Sequence, residues 1–422
     1  MNRRHFLATA ATMPLAASLL HVERALAGSR ADEQLLEEVE RGAFRFFWEQ
    51  ADPNTGQVKD RARAVGPDTY RISSIAATGF GLTGLCIGAE RGYGPRKQIR
   101  DRVAATLRFV AERLPQEHGF YYHFVDMTTG ERLWRCELST IDTALLLCGV
   151  LTCRQYWGAD PEIPALATLI YDRVDWPWFL DGGKTLSMGW KPESGFLDAR
   201  WSDYCELMML YLLGLGSSTH PLPAACWKAW KRSKVTFDGL TYISSAPSLF
   251  IHQYSHAWFD FQGKLDDGVD WFQNSVIATE AHERFCLSLH DKFPDYTRDL
   301  WGFTASDSQG GYVSWGGPPS DGKADGTIVP CAVGGSIPFL PEACLRVLHT
   351  IRDRHSKAAW GRYGYIDAFN PLNGWVNPDV LGIDVGISML MAENYRSGFV
   401  WNTFMRDPGA RRGMERAGFH KA

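Results

Sequence analysis

Positive charge is not in excess in this chain: 44 Lys and Arg stand against 48 Asp and Glu, for a formal net charge of −4 and a pI near 6.3. No basic footprint is present, which argues against a nucleic-acid partner. Strand signals are few, with no repeated strand-helix-strand units and no phosphate loop, so a nucleotide-binding fold is disfavoured. A nucleophile elbow of the Gly-x-Ser-x-Gly kind is missing, and Ser336 in Gly334-Gly-Ser-Ile-Pro has no evident partner, so a serine hydrolase is not supported. The nine cysteines include no Cys-x-x-Cys pair. Most lie in apolar helical stretches, Cys86, Cys148 and Cys286 among them, and read as small core residues rather than a zinc site or a disulfide framework.

Aromatic residues are abundant, at 13% with 16 Trp, in a chain that is 45% hydrophobic and 22% charged. That balance supplies an ample core. Tryptophan in such numbers is often left partly open where a flat ligand stacks. The N-terminus carries Arg3-Arg4, a mild apolar stretch over 8–20 and Ala25-Leu-Ala27. This predicts a twin-arginine export signal over 1–27 and a periplasmic location, with no membrane anchor once the signal is cleaved. Cleavage after Ala27 removes three Arg and one Glu and takes the formal charge from −4 to −6. The remainder, 28–422, reads as a single domain. Helical spacing dominates it, over 35–50, 72–88, 99–114, 142–157, 163–174, 206–215, 224–231, 274–289, 341–352 and 386–395. Residues 120–125 and 132–135 read as the strands of a hairpin around Met127-Thr-Thr-Gly130. Long polar loops over 52–71, 182–201, 304–335 and 353–380 separate the helices, and loops of that length are usually functional. Up to twelve helices joined by alternating short and long loops predict an all-α fold, an (α/α)6 barrel, with the long loops and small β-hairpins on one rim.

Three acidic clusters each run straight into an apolar segment: Glu137-Leu-Ser-Thr-Ile-Asp142, Asp203-Tyr-Cys-Glu206 and Leu381-Gly-Ile-Asp384-Val-Gly386. A lone cluster of this kind is an ordinary helix cap. Three together, with Trp and Tyr around them, suit a site that holds a sugar and cuts a glycosidic bond with two carboxyls in different protonation states. Glu206 lies between Trp201-Ser-Asp203-Tyr204 and an apolar run, so loss of solvation should raise its pKa and fit it for general acid. Asp384, bracketed by Gly382 and Gly386, suits a general base that substrate and backbone can approach closely. His252, Gln253, His256, Trp258 and Asp260 read as a sugar-binding strip. Trp301, Asp307, Tyr312 and Trp315 in and beside one Gly-rich loop, Asp60, Arg61 and Arg71 in the first loop, and Asp367 and Asn370 complete the candidate subsites. Asp142 reads as a brace or a sugar contact. His252 and His256 are four apart, but no His-Glu-x-x-His pattern surrounds them, so no metal is expected.

Longer motifs carry a resemblance. They are Phe44-Arg-Phe-Phe-Trp48, Val58-Lys-Asp60-Arg61, Ser73-Ser-Ile-Ala-Ala-Thr-Gly-Phe-Gly81, Ser218-Thr-His-Pro221, His252-Gln-Tyr-Ser-His-Ala-Trp258-Phe-Asp260, Leu300-Trp-Gly-Phe-Thr-Ala-Ser-Asp307 and Trp360-Gly-Arg-Tyr-Gly-Tyr-Ile-Asp-Ala-Phe-Asn370. With the acidic clusters they resemble the bacterial glucoamylase-like domain family along nearly all of 28–422. The resemblance implies an (α/α)6 barrel, kinship with β-1,2-glucanases and with a domain of cyclic β-1,2-glucan synthases, and a glucan or gluco-oligosaccharide partner with no cofactor. It places the family's acid at the Tyr-x-Glu position, Glu206, and its base at Asp384, with inversion of configuration. Glu137 is the rival for the second role, because a carboxylate in this region matters in the transferase-like relatives. A retaining transglycosylase and a non-catalytic glycan-binding protein are the alternative readings.

Overall fold

The computed structural model describes residues 15–319 and 323–422, with side chains from residue 29 onward; the expected export signal lies outside the fully described residues. In chain order the α-helices are α1 (Leu15–Glu49), α2 (Ile75–Arg91), α3 (Arg96–Glu112), α4 (Thr140–Tyr156), α5 (Ile163–Asp172), α6 (Met208–Gly216), α7 (Tyr254–Trp258), α8 (Trp271–Ser288), α9 (Pro330–Gly334), α10 (Pro341–Arg354), α11 (Ser356–Ala359), α12 (Gly382–Ser397), α13 (Phe399–Phe404) and α14 (Pro408–Ala417). The expected helix over 224–231 is instead a single 3-10 turn, Ala224–Lys228, opened by Pro223.

Two kinds of helix build the (α/α)6 barrel. The inner ones are apolar on nearly every face: α6 is buried at all positions, and α2 from Ile75 to Ala89. The outer ones carry one apolar stripe, as α3 does with Ile99, Val103, Leu107 and Val110. Helix α2 packs on α4 and α12, α4 on α6, α6 on α7, and α7 and α9 on α12, so the inner ring closes. Around it, α1 covers α2 and α12, α5 covers α4, α14 covers α6 and α10 covers α9. One apolar interior runs from Leu35 to Ala417.

The α2–α4 contact needs glycine. A Cβ on Gly79 would lie 2.3 Å from the Leu145 carbonyl oxygen, and one on Gly149 would lie 2.1 Å from that of Gly79. Residues Gly79-Phe-Gly81-Leu-Thr-Gly84 do satisfy the Gly-x-Gly-x-x-Gly spacing of a dinucleotide fingerprint. Here they lie wholly inside buried α2, where the glycines admit neighbouring backbone and the side chain of Phe47, not a phosphate.

Three inner helices, α2, α4 and α12, begin at short strands that tie one end of the barrel together. Ile72–Ser74 pairs with Phe124–Asp126 before α2, Leu138–Ser139 with Gly189–Lys191 before α4, and Asp379–Leu381 with Arg61–Arg63 before α12. Ser74 caps α2 by accepting from the Ala77 N–H, and Ser139 caps α4 by accepting from the Asp142 N–H at 3.2 Å. The expected hairpin around 127–130 forms, with Arg132 bridged to Val125 and the Leu133 N–H donating to the Phe124 carbonyl at 3.0 Å. The strand expected over 132–135 stops there: the Cys136 N–H donates to the Leu133 carbonyl at 3.0 Å in a turn with Trp134 and Arg135 both left-handed.

Candidate active site

The three acidic clusters meet at this tied end. Glu137 sits in the strap before α4, and a Cβ on Gly189 would come within 2.6 Å of its Cγ, so that glycine makes its room. His123, from the neighbouring strand region, lies between the two acids of the first cluster, with Nδ1 3.1 Å from Glu137 and Nε2 3.5 Å from Asp142. Burial alone would lower the imidazole pKa. The charge of Asp142 and the bond and charge of Glu137 overcome it and raise the value to about 8. In return His123 holds Glu137 down at about 2.

Glu206 stands two residues before α6. Its carbonyl accepts from Ser255 Oγ at 2.8 Å, and the same hydroxyl accepts from the Met209 N–H at 3.0 Å, so α7 fixes the start of α6. The side chain keeps some accessible surface, although dense protein surrounds its carboxyl and no cation among the described residues pairs with it. Burial raises it to about 7. The bond from the Cys205 thiol offsets part of that, and the charge of Asp142 adds to it.

Asp384 is the third residue of α12 and is 7% exposed. Burial raises it to about 6, and hydrogen bonds from Asp367 and the Cys331 thiol hold it from rising further. Asp367 is buried. One of its oxygens takes the Asp307 N–H at 3.1 Å and Asn377 Nδ2 at 2.5 Å. Burial, the charge of Asp384 and the bond to it push Asp367 well above the usual range. Asp367 Oδ1 and Asp384 Oδ2 are both buried without a conventional donor among the described residues, an arrangement that suits one proton held between two carboxyls. Of the two, Asp367 is pushed further toward its protonated form. A cavity of about 10 Å³, room for one water, opens beside Asp384 between α1, α9 and α12.

Two tyrosines connect the halves of the site. The buried Tyr254 hydroxyl is pushed up by desolvation and then by the charges of Asp384, Cys331 and Glu206. Tyr312, 70% exposed on the hairpin of Ser306–Ser308 and Gly311–Val313, is raised by desolvation of its hydroxyl and then by Glu206 and Asp384. Arg61 also lies at this mouth, 3.0 Å from Asp60 and 2.5 Å from Asp307.

Several expected sugar contacts are corrected by burial. Trp258 is fully enclosed, its indole N–H donating to Thr83 Oγ1 at 3.0 Å, and Trp301 is equally enclosed. Trp201 donates to Thr140 Oγ1 at 2.7 Å, and Trp315 is also buried. Tyr204 lies flat on Trp271 and bonds His252 Nδ1 at 3.0 Å. His256 meets Ser275 Oγ at 3.0 Å, and Gln253 donates to the Ala332 carbonyl and to Ser336 Oγ, both at 2.7 Å. Burial lowers both histidines to about 3, so they are neutral near pH 7. The expected strip is therefore a buried polar network, and it has no face free for a sugar. Asp260, past the other end of α7, pairs with Lys264. Asn370, also buried, donates to the Asp325 carbonyl. Asp203 faces Lys231, and Arg71 pairs with Asp126 at the rim. Gly382 and Gly386 make room for Ala77 and Phe80 of α2 rather than for a ligand. The site thus gathers Glu137, Asp142, Glu206, Asp384, Asp60, Asp307, Asp367 and Tyr312. It adds His123, Tyr254 and Cys331, which the sequence reading passed over. Only His123 left a signal, as a lone imidazole in the aromatic run 120–125.

A family model described as "Putative glucoamylase" matches residues 198–408. An exo-β-1,2-glucooligosaccharide sophorohydrolase (non-reducing end) of Parabacteroides distasonis is 27% identical over 91% of this chain, which spans 58% of that relative's length. Among solved structures, the endo-β-1,2-glucanase of Chitinophaga pinensis, in complex with sophorotriose and glucose, superposes with a TM-score of 0.86 at 27% identity, over 92% of this chain and 99% of its own. A protein of Bacteroides caccae described as a glucoamylase superposes with a TM-score of 0.86 at 30% identity, over 93% and 100%.

Proposed function

This chain belongs to the family of glucoamylase-like proteins that the matched model describes, and on that premise we propose that it is a glycoside hydrolase cleaving β-1,2-linked glucan or gluco-oligosaccharides. The observation that carries this reading is the pair of desolvated carboxyls, Glu206 and Asp384, at the starts of two inner helices, neither with an ion-pair partner among the described residues and both acting on Tyr254 and Tyr312. The names of the β-1,2-glucan-cleaving relatives supply the linkage.

In the proposed reaction Glu206, raised to about 7, protonates the departing glycosidic oxygen. Asp384 stays ionised above about 6 and takes a proton from the attacking water on the opposite face of the ring, with inversion. Glu137 is the weaker candidate for base. Held at about 2 by His123, it is a poor proton acceptor. It serves instead to keep His123 charged beside the sugar hydroxyls. Asp367 holds the shared proton and fixes the oxygens of Asp384. We place the reaction in the periplasm on the strength of the paired arginines and the Ala-x-Ala site at the N-terminus.

Incubation with linear β-1,2-glucan and with β-1,3-, β-1,4- and α-1,4-glucans, followed by product sizing and NMR of the first-formed anomer, tests the reading. Release of α-anomeric oligosaccharides from the β-1,2-glucan alone is expected, and Glu206→Gln abolishes it while the protein stays folded. Wild-type rates in that variant, or products only from another linkage, overturn the proposal.

A further inference from the structure

The turn at Leu133–Cys136, which bulges out of a segment paired on both sides of it with residues 122–125, is made of the wrong residues for its shape. Its Cys136 N–H donates to the Leu133 carbonyl at 3.0 Å, and its two central residues have φ of 52° at Trp134 and 51° at Arg135. Positive φ at both central positions is the type I′ turn, which Asn-Gly and Asp-Gly fill at little cost and which bulky side chains occupy under strain. Both side chains nonetheless point to solvent. Trp134 is 66% exposed and the side chain of Arg135 77%. Within the fold the tip gains only an edge-on contact of Trp134 with Phe124 and a 3.5 Å approach of Arg135 to Glu193, little return for two strained and open side chains, so their use lies outside it.

The turn is held rigidly and next to the acids. Arg132 donates across it to the Cys136 carbonyl at 2.6 Å and grips Glu193 of the adjacent hairpin with two bonds of 2.8 and 3.1 Å. Trp134 meets Phe124 edge to face at 5.2 Å, and Phe124 stacks on His123 at 3.9 Å, the same His123 that bonds Glu137. One aromatic wall therefore runs from the carboxylates to the tip. The Trp134 ring lies no more than about 9 Å from the imidazole, the reach of a disaccharide.

We propose that Trp134 and Arg135 form a remote subsite that binds a pyranose ring of the glucan beyond the cleavage point, the indole stacking on the apolar face of the sugar and the guanidinium donating to its hydroxyls. The inference rests on the β-1,2-glucan reading above and adds to it a determinant of chain-length preference. A substrate too short to reach the tip gains nothing from it, whereas a longer one is held in register by it.

The test replaces the pair by the residues the turn prefers, Trp134→Asn with Arg135→Gly. That variant keeps or raises Tm. Its kcat/KM for long linear β-1,2-glucan falls at least tenfold through KM, while kcat/KM for the shortest oligosaccharide it cleaves is unchanged. Calorimetric titration of long β-1,2-glucan into the Glu206→Gln protein, with and without the turn replacement, shows the same tenfold loss of affinity. A lower Tm with unmoved kinetics makes the pair structural and overturns the subsite, and so does an equal loss on short and long substrates. Wild-type protein that neither cleaves nor binds β-1,2-glucan overturns the underlying reading instead, and the subsite with it.

Discussion

Two pairs of buried carboxyls lie near opposite ends of α12, and they are treated in opposite ways. Asp384, in the first turn, lies against Asp367, which is pushed toward its protonated form, and neither pairs with a cation among the described residues. Glu393, nine residues on and about 13 Å along the axis at 1.5 Å per residue, is gripped by Arg91 through two bonds of 2.8 and 2.9 Å. Its neighbour Glu40 meets Arg396 at 2.5 Å and Tyr93 at 2.8 Å. Burial and the charge of Glu393 raise Glu40 to about 8, with Arg396 and Tyr93 opposing. Removing a carboxylate from water costs several kcal/mol unless a partner compensates. Glu40, raised to about 8, also keeps a proton near pH 7, so a retained proton is common to both ends. What differs is the guanidinium: Arg91 and Arg396 lock the far pair into an anchor between α1, α2 and α12, and no such clamp holds Asp384 and Asp367 among the described residues. A buried carboxyl pair clamped by guanidinium is built to hold, and one without the clamp is free to exchange its proton.

The comparison breaks most sharply on Asp384→Asn. Loss of a general base costs about 10²–10⁴-fold in rate, and kcat should fall by that much. Tm should hold or rise, because the substitution removes a desolvated charge from a buried site. Steady-state kinetics and thermal melting together check it, and a variant that unfolds with its activity would make Asp384 as structural as Glu393.

At the other end the expected loss is in stability. Arg396 is almost wholly buried between Glu33 and Glu40. Removing one partner of such a pair costs about 3–5 kcal/mol, so Arg396→Met should lower the denaturation midpoint accordingly and leave kcat at 25 °C near the wild-type value. A tenfold fall in kcat of the still-folded protein would mean that the two ends are coupled along α12.

Sequence reasoning reached the two ends unequally. The helix starts and the raised carboxyl of Glu206 were legible because the run Leu207–Leu213 is continuously apolar, and burial follows from that. Helices α7 and α9 were not, since five residues are too few to display a period. His252, Gln253, His256 and Trp258 misled for a related reason. A sugar-binding strip and a buried polar network call for the same residue types, and only the third dimension shows these side chains enclosed, with Tyr204, Ser275, Ser336 and Thr83 as their partners. His123 lies 14 residues before one partner and 19 before the other, so its pairing depends on how the intervening hairpin folds.

The smallest effect concerns protons. Asp384 must be ionised to act as base, so kcat/KM should climb as pH rises through about 6. Glu206 must keep its proton to act as acid, so kcat/KM should fall as pH rises through about 7. The profile is then a narrow bell centred between the two, dropping about tenfold per pH unit outside it. Glu40, although raised to about 8, faces no substrate and should leave no third limb in the kinetics. Asp367→Asn sharpens the contrast. The amide keeps a donor toward Asp384 but cannot ionise, so the variant should retain most of its activity with its acidic limb moved, whereas Asp367→Ala, which removes the donor, should lose far more. Equal profiles for both substitutions would mean that no proton is shared at the mouth, and the distinction between the two ends of α12 would reduce to one of position.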